Sequence, residues 1–303
     1  MSADSLEPAA CNLCGRDDFS VLYDSPILPE RRGDPGTFIA STDRFDRYGR
    51  IVRCRNCGLV YTNPRPPERA LREGYSQAVD EDYIQEDASR GINAHMSLHV
   101  IKKFAHGGAV LDVGCSTGYF LNAARLDFAA HGLEPSHWAA KFARDKLNLD
   151  VREGTLEDQA FPPAHFDVVT LIDVIEHLPD PLGALKAAHR LLKPGGVLYI
   201  VTPNIRSLSA MILRGKWWGL RPGHIHYFSP KTLAAMLEKS GFETLRLGSY
   251  GRMFTYGYWL SRLKNYPRWV RAAPAALIRL LGIEGKFLYL NTRDSMEVCA
   301  RKS

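Results

Sequence analysis

The sequence predicts a doubly wound α/β fold: a largely parallel sheet with helices on both faces, preceded by a small metal-binding head. Three observations predict it. Short apolar runs alternate with helical patterns from residue 109 onward, as parallel strands joined by crossover helices do. The first of these runs ends in a glycine turn that opens a helix, a geometry in which backbone approaches a ligand closely. Ahead of them lie two C-x-x-C pairs.

A chain of 303 residues has room for about two domains, read here as a head over 1–66 and a sheet domain over 67–303. Hydrophobic residues make up 45% and charged residues 24%, which excludes a wholly disordered or collagen-like chain. No run reaches the roughly 18 apolar residues of a membrane-spanning helix. The start, M-S-A-D-S-L-E-P, has neither the basic head nor the apolar core of a secretory signal. A cytoplasmic location is therefore expected.

In the head, Cys11 pairs with Cys14 and Cys54 with Cys57, and a glycine follows each pair at Gly15 and Gly58. Two intervening residues let one turn present both sulfurs to one metal, and the glycine permits the left-handed backbone that closes the turn. Two such knuckles make a four-sulfur site of the structural zinc type, closed and so not catalytic. Disulfides fit poorly with a chain lacking a signal, and a redox pair normally opens a helix. Residues 47–54 and 58–62 read as strands of a zinc-ribbon-like hairpin. N-P-R-P-P at 63–67 ends the head with a stiff turn, and a helical pattern over about 90–105 leads into the sheet domain.

A-V-L-D-V (109–113) is the first strand of the sheet domain, and G-C-S-T-G-Y-F (114–120) turns it into a helix. The second strand, 129–134, ends in Glu134, where an acid suits a hold on ribose hydroxyls. Residues 149–153 are a third strand. F-D-V-V-T-L-I-D (166–173) is a fourth, apolar throughout as a strand covered on both faces should be. A helix over 181–192 stops at Lys193-Pro194-Gly195-Gly196, and 196–202 is a fifth strand. Ser229, Pro230 and Gly241 punctuate another helix as N-cap, first residue and C-terminal cap. Residues 242–247 and 295–302 supply the last two strands. The glycine turn lacks the G-x-G-x-x-G spacing, which argues against a dinucleotide.

A-V-L-D-V-G-C-S-T-G-Y-F resembles the first motif of class I S-adenosylmethionine-dependent methyltransferases. So do Glu134, the F-D-V-V strand, I-E-H-L-P-D-P (175–181) and L-L-K-P-G-G (191–196). The resemblance covers about 75–302 and implies a seven-stranded Rossmann-like sheet whose last strand inserts antiparallel between the fifth and sixth. It implies S-adenosylmethionine as cofactor, seated on Asp112, Gly114, Cys115, Gly118, Tyr119, Glu134, Thr155, Leu156, Asp173 and Val174. This chain has Ser116 where the motif usually has glycine, and Thr155 where an Asp is frequent. The C-x-x-C pairs with G-L-V-Y-T-N-P-R-P (58–66) are similar to the zinc-binding head of a bacterial subset that includes sugar C-methyltransferases. Those enzymes carry a further C-terminal domain, so their acceptor does not carry over.

Methyl transfer to a hydroxyl or a carbon acid needs a base. His177 directly follows the fourth strand and is the first candidate. His224 and His226, two apart and so on one face of an extended segment, are the second. Two histidines alone are too few for a metal site. Insertions occupy 206–228 and 252–293, the second read as helical. Trp217, Trp218, His224 and His226 are expected nearest the acceptor. Between Arg252 and Arg293 eight basic residues face the single acid Glu284. This surplus, interleaved with aromatics, suits a lid over an anionic or lipid-linked acceptor, a peripheral membrane contact or nucleic acid, and equally a packed helical cap with a solvated basic face. The expected acceptor is a small molecule, a sugar or glycan, or a lipid-linked molecule, methylated at oxygen or carbon. An RNA methyltransferase and a non-catalytic cofactor-binding scaffold are the competing readings. The absence of an N/D-P-P-Y/F motif speaks against nucleic acid, and the intact first motif against the scaffold.

Overall fold

The computed structural model describes residues 6–25, 38–39, 48–262 and 268–303, the last span with backbone only at 268–271. In the head, β1 (Phe19–Tyr23), β2 (Ile51–Cys54) and β3 (Val60–Thr62) pair antiparallel. The two expected ribbon strands are β2 and β3; the rest of the loop between the cysteine pairs falls largely outside the described residues. Two helices, α1 (Glu68–Ser76) and α2 (Asp87–Ile101), lead on from the head.

The sheet domain runs β4 (Ala109–Val113), α3 (Tyr119–Ala124), β5 (Ala129–Glu134), α4 (His137–Leu147), β6 (Asp150–Glu153) and β7 (Phe166–Ile172). It continues with α5 (Pro181–Leu191), β8 (Leu192–Pro203), α6 (Leu208–Leu213), β9 (His226–Tyr227), α7 (Pro230–Lys239) and β10 (Phe242–Thr255). It closes with α8 (Tyr256–Ser261), α9 (Arg268–Leu280) and β11 (Phe287–Lys302). The helices begin where the sequence supplies caps. The Ser136 hydroxyl accepts from the Ala139 amide, Asp180 caps α5 ahead of Pro181, and Ser229 and Thr232 form a reciprocal capping box on α7. Each cap satisfies an amide that the first turn leaves without a partner.

The seven-stranded sheet has the order β10-β11-β8-β7-β4-β5-β6. β11 lies antiparallel to both neighbours, β10 and β8, as the family resemblance implies. The chain turns outward in opposite directions on the two sides of β4, so the crevice beyond the carboxyl ends of β4 and β7 is where such a sheet binds ligand. The interiors of β7 and β8 are buried on both faces, which is why they read as continuous apolar runs.

Two features depart from the expected outline. The segment 252–293 is only partly helical: residues up to Thr255 prolong β10 and those from Phe287 prolong β11, leaving α8 and α9 between them. The head is also not set apart by packing. β9, from the other insertion, adds a fourth strand to the head sheet by pairing with β3. Cys11, Leu13, Val52, Leu59 and Tyr61 share one hydrophobic cluster with Phe228, Leu233 and the inner faces of β7 and β8.

Candidate active site

The four head cysteines converge. Gly15 (φ 77°) and Gly58 (φ 80°) take the left-handed backbone, and their amides donate to the Cys11 and Cys54 carbonyls at 2.7 and 3.0 Å. Cys11 and Cys57 sulfurs lie 3.4 Å apart, and those of Cys14 and Cys54 3.5 Å. Sulfurs bound tetrahedrally at about 2.3 Å would be separated by roughly 3.8 Å, so the cluster fits zinc with a small expansion. Burial pushes the Cys11 thiol up and that of Cys57 to about 11, so deprotonating these sulfurs calls for a cation among them.

The cofactor side is built on the turn after β4. Gly114, Ser116 and Gly118 all have positive φ, at 69, 49 and 86°, which accounts for the family's usual glycine at 116. A Cβ on Gly114 would meet Val174 at 2.6 Å, and one on Gly118 would meet Leu149 at 2.4 Å. Both glycines thus let the turn pack against its own protein, whatever lies on its open side. Glu134 closes the turn: one carboxylate oxygen accepts from the Ser116 amide at 2.7 Å, the other from the Ser136 amide at 2.8 Å. Four lone pairs on the two oxygens leave capacity for two hydroxyls. Burial pushes Glu134 up to about 7 despite those two bonds. Asp112, also raised to about 7 by burial, accepts from the Thr170 hydroxyl at 2.5 Å.

On the other side of the crevice, a short 3₁₀ turn over Ile175–His177 follows β7. The Glu176 carboxylate is buried; its Oε2 accepts from the Thr202 hydroxyl at 2.9 Å. Its Oε1 has no hydrogen-bond partner among the described residues. His177 Nδ1 lies 2.8 Å from the Gly223 carbonyl and 2.7 Å from the Tyr75 hydroxyl. A carbonyl only accepts, so Nδ1 carries the proton and Nε2 keeps a lone pair. The same holds for His224, whose Nδ1 lies 2.9 Å from the Gly219 carbonyl. The two imidazoles meet edge to face at 4.6 Å. Burial lowers His177 to about 4 and holds His224 well below the ordinary imidazole value, so both rings are neutral near pH 7. A ligand atom from each of Glu176, His177 and His224 lies within 4.8 Å of the others.

A family model described as "Methyltransferase domain" matches residues 83–247, more than half of the chain. The chain belongs to that methyltransferase family. S-adenosylmethionine is the family's cofactor. The methyltransferase is 35% identical over 155 residues to the ubiquinone biosynthesis O-methyltransferase of Thiobacillus denitrificans, covering 46% of this chain and 67% of that protein. It is 40% identical over 118 residues to the protein of that name from Actinobacillus pleuropneumoniae, covering 35% and 50%. The chain therefore spans about half to two thirds of the length of these curated relatives. An S-adenosylmethionine-dependent methyltransferase from Archaeoglobus fulgidus aligns with a TM-score of 0.51 at 18% identity, over 74% of this chain and 100% of that one. That likeness is one of fold.

The Cys115 thiol points into a small core with Leu121, Ala140 and Val151, so only its backbone faces the turn. Tyr119 stacks on Tyr83 at 6.3 Å. Leu156 is buried in the core. Thr155 donates to Asp158 at 2.7 Å, and Arg72 of α1 reaches both; a carboxylate thus stands beside the position where the family often has one. Val174 packs on Gly114. Asp173, with a positive φ of 56°, is gripped by Arg252, whose Nη2 donates to both carboxylate oxygens at 2.7 and 2.8 Å.

His224 and His226 part company. His226 stacks on Phe228 and is buried facing Arg65, Asp180 and the Leu178 backbone. Trp217 is buried against Tyr48, Ile51 and Tyr227, and its indole N–H reaches Asp294 at 3.3 Å, so it joins the insertion to the head. Among the described residues the basic surplus divides. Arg252 is turned inward onto Asp173 and Arg262 donates to the Tyr258 hydroxyl, while Arg279, Lys286 and Arg293 are exposed, Arg279 facing Glu284 at 3.5 Å. Lys264 and the side chains of Arg268 and Arg271 lie outside the described residues. Among the described residues no helix is long and apolar enough to cross a membrane.

Sequence reasoning missed Glu176, Tyr75 and Arg252 as site residues. Glu176 had a signal, an acid directly before the candidate base in I-E-H-L. Tyr75 and Arg252 had none, because only the fold brings α1 and β10 to this crevice.

Proposed function

We propose that this methyltransferase moves the methyl group of S-adenosylmethionine to an oxygen of a small-molecule acceptor. The observation that carries the reading is the pair of neutral imidazoles at the end of β7. Their Nε2 lone pairs are left free by the Gly223 and Gly219 carbonyls, a few residues from the cofactor turn through Val174. The cofactor would rest on the Gly114–Gly118 turn with its ribose hydroxyls on Glu134. The acceptor oxygen attacks the methyl carbon in line; the carbon–sulfur bond breaks and a neutral thioether leaves. The acceptor's proton passes to an imidazole Nε2 or to water. Alignment of the two reactants can remove up to about 7–11 kcal/mol of the barrier. The relatives named as ubiquinone biosynthesis O-methyltransferases support oxygen as the target.

A finer reading makes the acceptor lipid-linked and met at a membrane surface, from the cytoplasmic side. Leu208, Met211 and Ile212 on α6 and Leu277, Leu280 and Leu281 at the end of α9 are exposed, and such apolar knobs beside basic residues suit a lipid interface. The head and the sheet domain would act as one unit through β9. The test is methyl-labelled S-adenosylmethionine incubated with fractionated cell extract. Label in an alkali-stable ether of the lipid or small-molecule fraction supports the reading. Label confined to RNA or protein, or no transfer at all, refutes it.

A further inference from the structure

We propose that Glu176, His177 and His224 together hold a divalent transition-metal ion, a second metal centre distinct from the four cysteines. Four observations converge. A ligand atom from each of the three residues lies within 4.8 Å of the other two. Glu176 and His224 are buried, at 1% and 5% exposure. The Glu176 Oε1 is a buried carboxylate oxygen without a hydrogen-bond partner among the described residues, while its twin is oriented by Thr202. An unpartnered carboxylate oxygen away from water is costly, and a cation removes that cost.

The fourth observation is the fixing of both rings. Each histidine spends its Nδ1 proton on a backbone carbonyl, at Gly223 and at Gly219. That is the outer arrangement by which metal-bound imidazoles are held in one tautomer with Nε2 free to ligate. The Tyr75 hydroxyl adds a second hold on His177 at 2.7 Å. Asp173, the next nearest acid in sequence, is taken up by Arg252, so the site has three donors and not four.

Two imidazoles and one carboxylate suit manganese, iron, cobalt or zinc more than magnesium or calcium, which favour oxygen donors throughout. Three protein ligands leave positions open, the pattern of a working site and not of a structural one. Such an ion would bind the acceptor's hydroxyl and lower its pKa, so that the oxygen attacks as the anion. Its proton goes to solvent, the new oxygen–methyl bond forms, and the carbon–sulfur bond breaks. This role rests on the methyl-transfer reading; the presence of the ion does not.

The test uses the full chain with its head loaded with zinc. Manganese is added and followed by paramagnetic resonance, and S-adenosylmethionine affinity is measured by calorimetry on the same samples as a check of the fold. The expected result is one manganese per chain, bound at least about tenfold more weakly in Glu176→Gln, His177→Gln and His224→Gln, with cofactor affinity unchanged. Cobalt, read by its visible absorption after the head is filled with zinc, should give the same answer. Should a single replacement fail to fold, the other two decide. The proposal is overturned if the wild type binds neither ion beyond the head zinc. It is equally overturned if binding persists in every variant that folds. Methyl transfer that continues with only the head zinc present would remove the ion's role while leaving the methyltransferase reading intact.

Discussion

Among the described residues, the two side-chain clusters able to hold a metal are built in opposite ways. The four cysteines come from two local turns, each closed by a glycine with positive φ and by an amide reaching back to the cysteine carbonyl. Glu176, His177 and His224 come from two segments that meet where β9 lies between the head sheet and the end of β8. There the Thr62 amide donates to the Ile225 carbonyl at 2.9 Å, and the Ile225 amide to the Glu176 carbonyl at 3.0 Å. The first cluster can form wherever its turns form. The second exists only when head, insertion and sheet are assembled. The head is thereby part of the scaffold of the acceptor side, while the cofactor turn stands on β4 and β5 without it.

The largest effect on this contrast is expected from Cys54→Ser. Loss of the head metal should free β3 and β9, so acceptor turnover should fall by about a hundredfold and the protein should melt earlier. Affinity for S-adenosylmethionine should hold within about threefold, or roughly 0.65 kcal/mol. Elemental analysis, a thermal melt and calorimetry read the three quantities. If cofactor binding collapses as well, the two halves are not separable in this way.

The reciprocal change is Glu134→Ala. It should weaken S-adenosylmethionine by about tenfold or more, equivalent to about 1.4 kcal/mol, and leave the zinc content untouched. An unchanged affinity would take Glu134 out of the cofactor site.

The same residue predicts a pH effect on the cofactor-free protein. Burial raises Glu134 from 4.5 to about 7, so the folded state binds the proton more tightly than the unfolded state. Its unfavourable contribution is absent below about pH 4.5 and grows as pH rises through 7. Glu134→Gln should therefore gain stability relative to wild type on going from pH 5 to pH 8, seen as a growing difference in Tm. A constant difference would mean that Glu134 titrates normally.

Tyr75→Phe probes the acceptor side alone. It removes one of two holds on His177 and should lower kcat by about fivefold, near 1 kcal/mol, with S-adenosylmethionine affinity unaltered. The smallest effect belongs to Arg279→Ala on α9. Its pair with Glu284 is exposed, and such pairs contribute about 0–1 kcal/mol. A larger loss of stability would show that α9 is held more firmly than this contact indicates.

Some of the molecule was open to a reader of the sequence alone, because its information is local. Two residues between cysteines and a glycine after each pair determine a metal knuckle. An apolar run, a glycine turn and a helix determine a strand with a ligand crevice at its end, and Glu134 marks the neighbouring strand. Caps at Ser136, Asp180 and Ser229 set where helices start. What only the tertiary structure decided is contact between distant segments. That β9 would complete the head sheet depends on a two-residue strand with no periodicity to read. That His224 would face His177 while His226 turned to Phe228 follows from that pairing, not from the spacing of two. That Arg252 would leave the basic surplus to grip Asp173 required β10 to extend past its expected end. Alternation and turn chemistry act over a few residues and are written in order along the chain. The partner of a buried charge is chosen by the three-dimensional packing that takes water away from it.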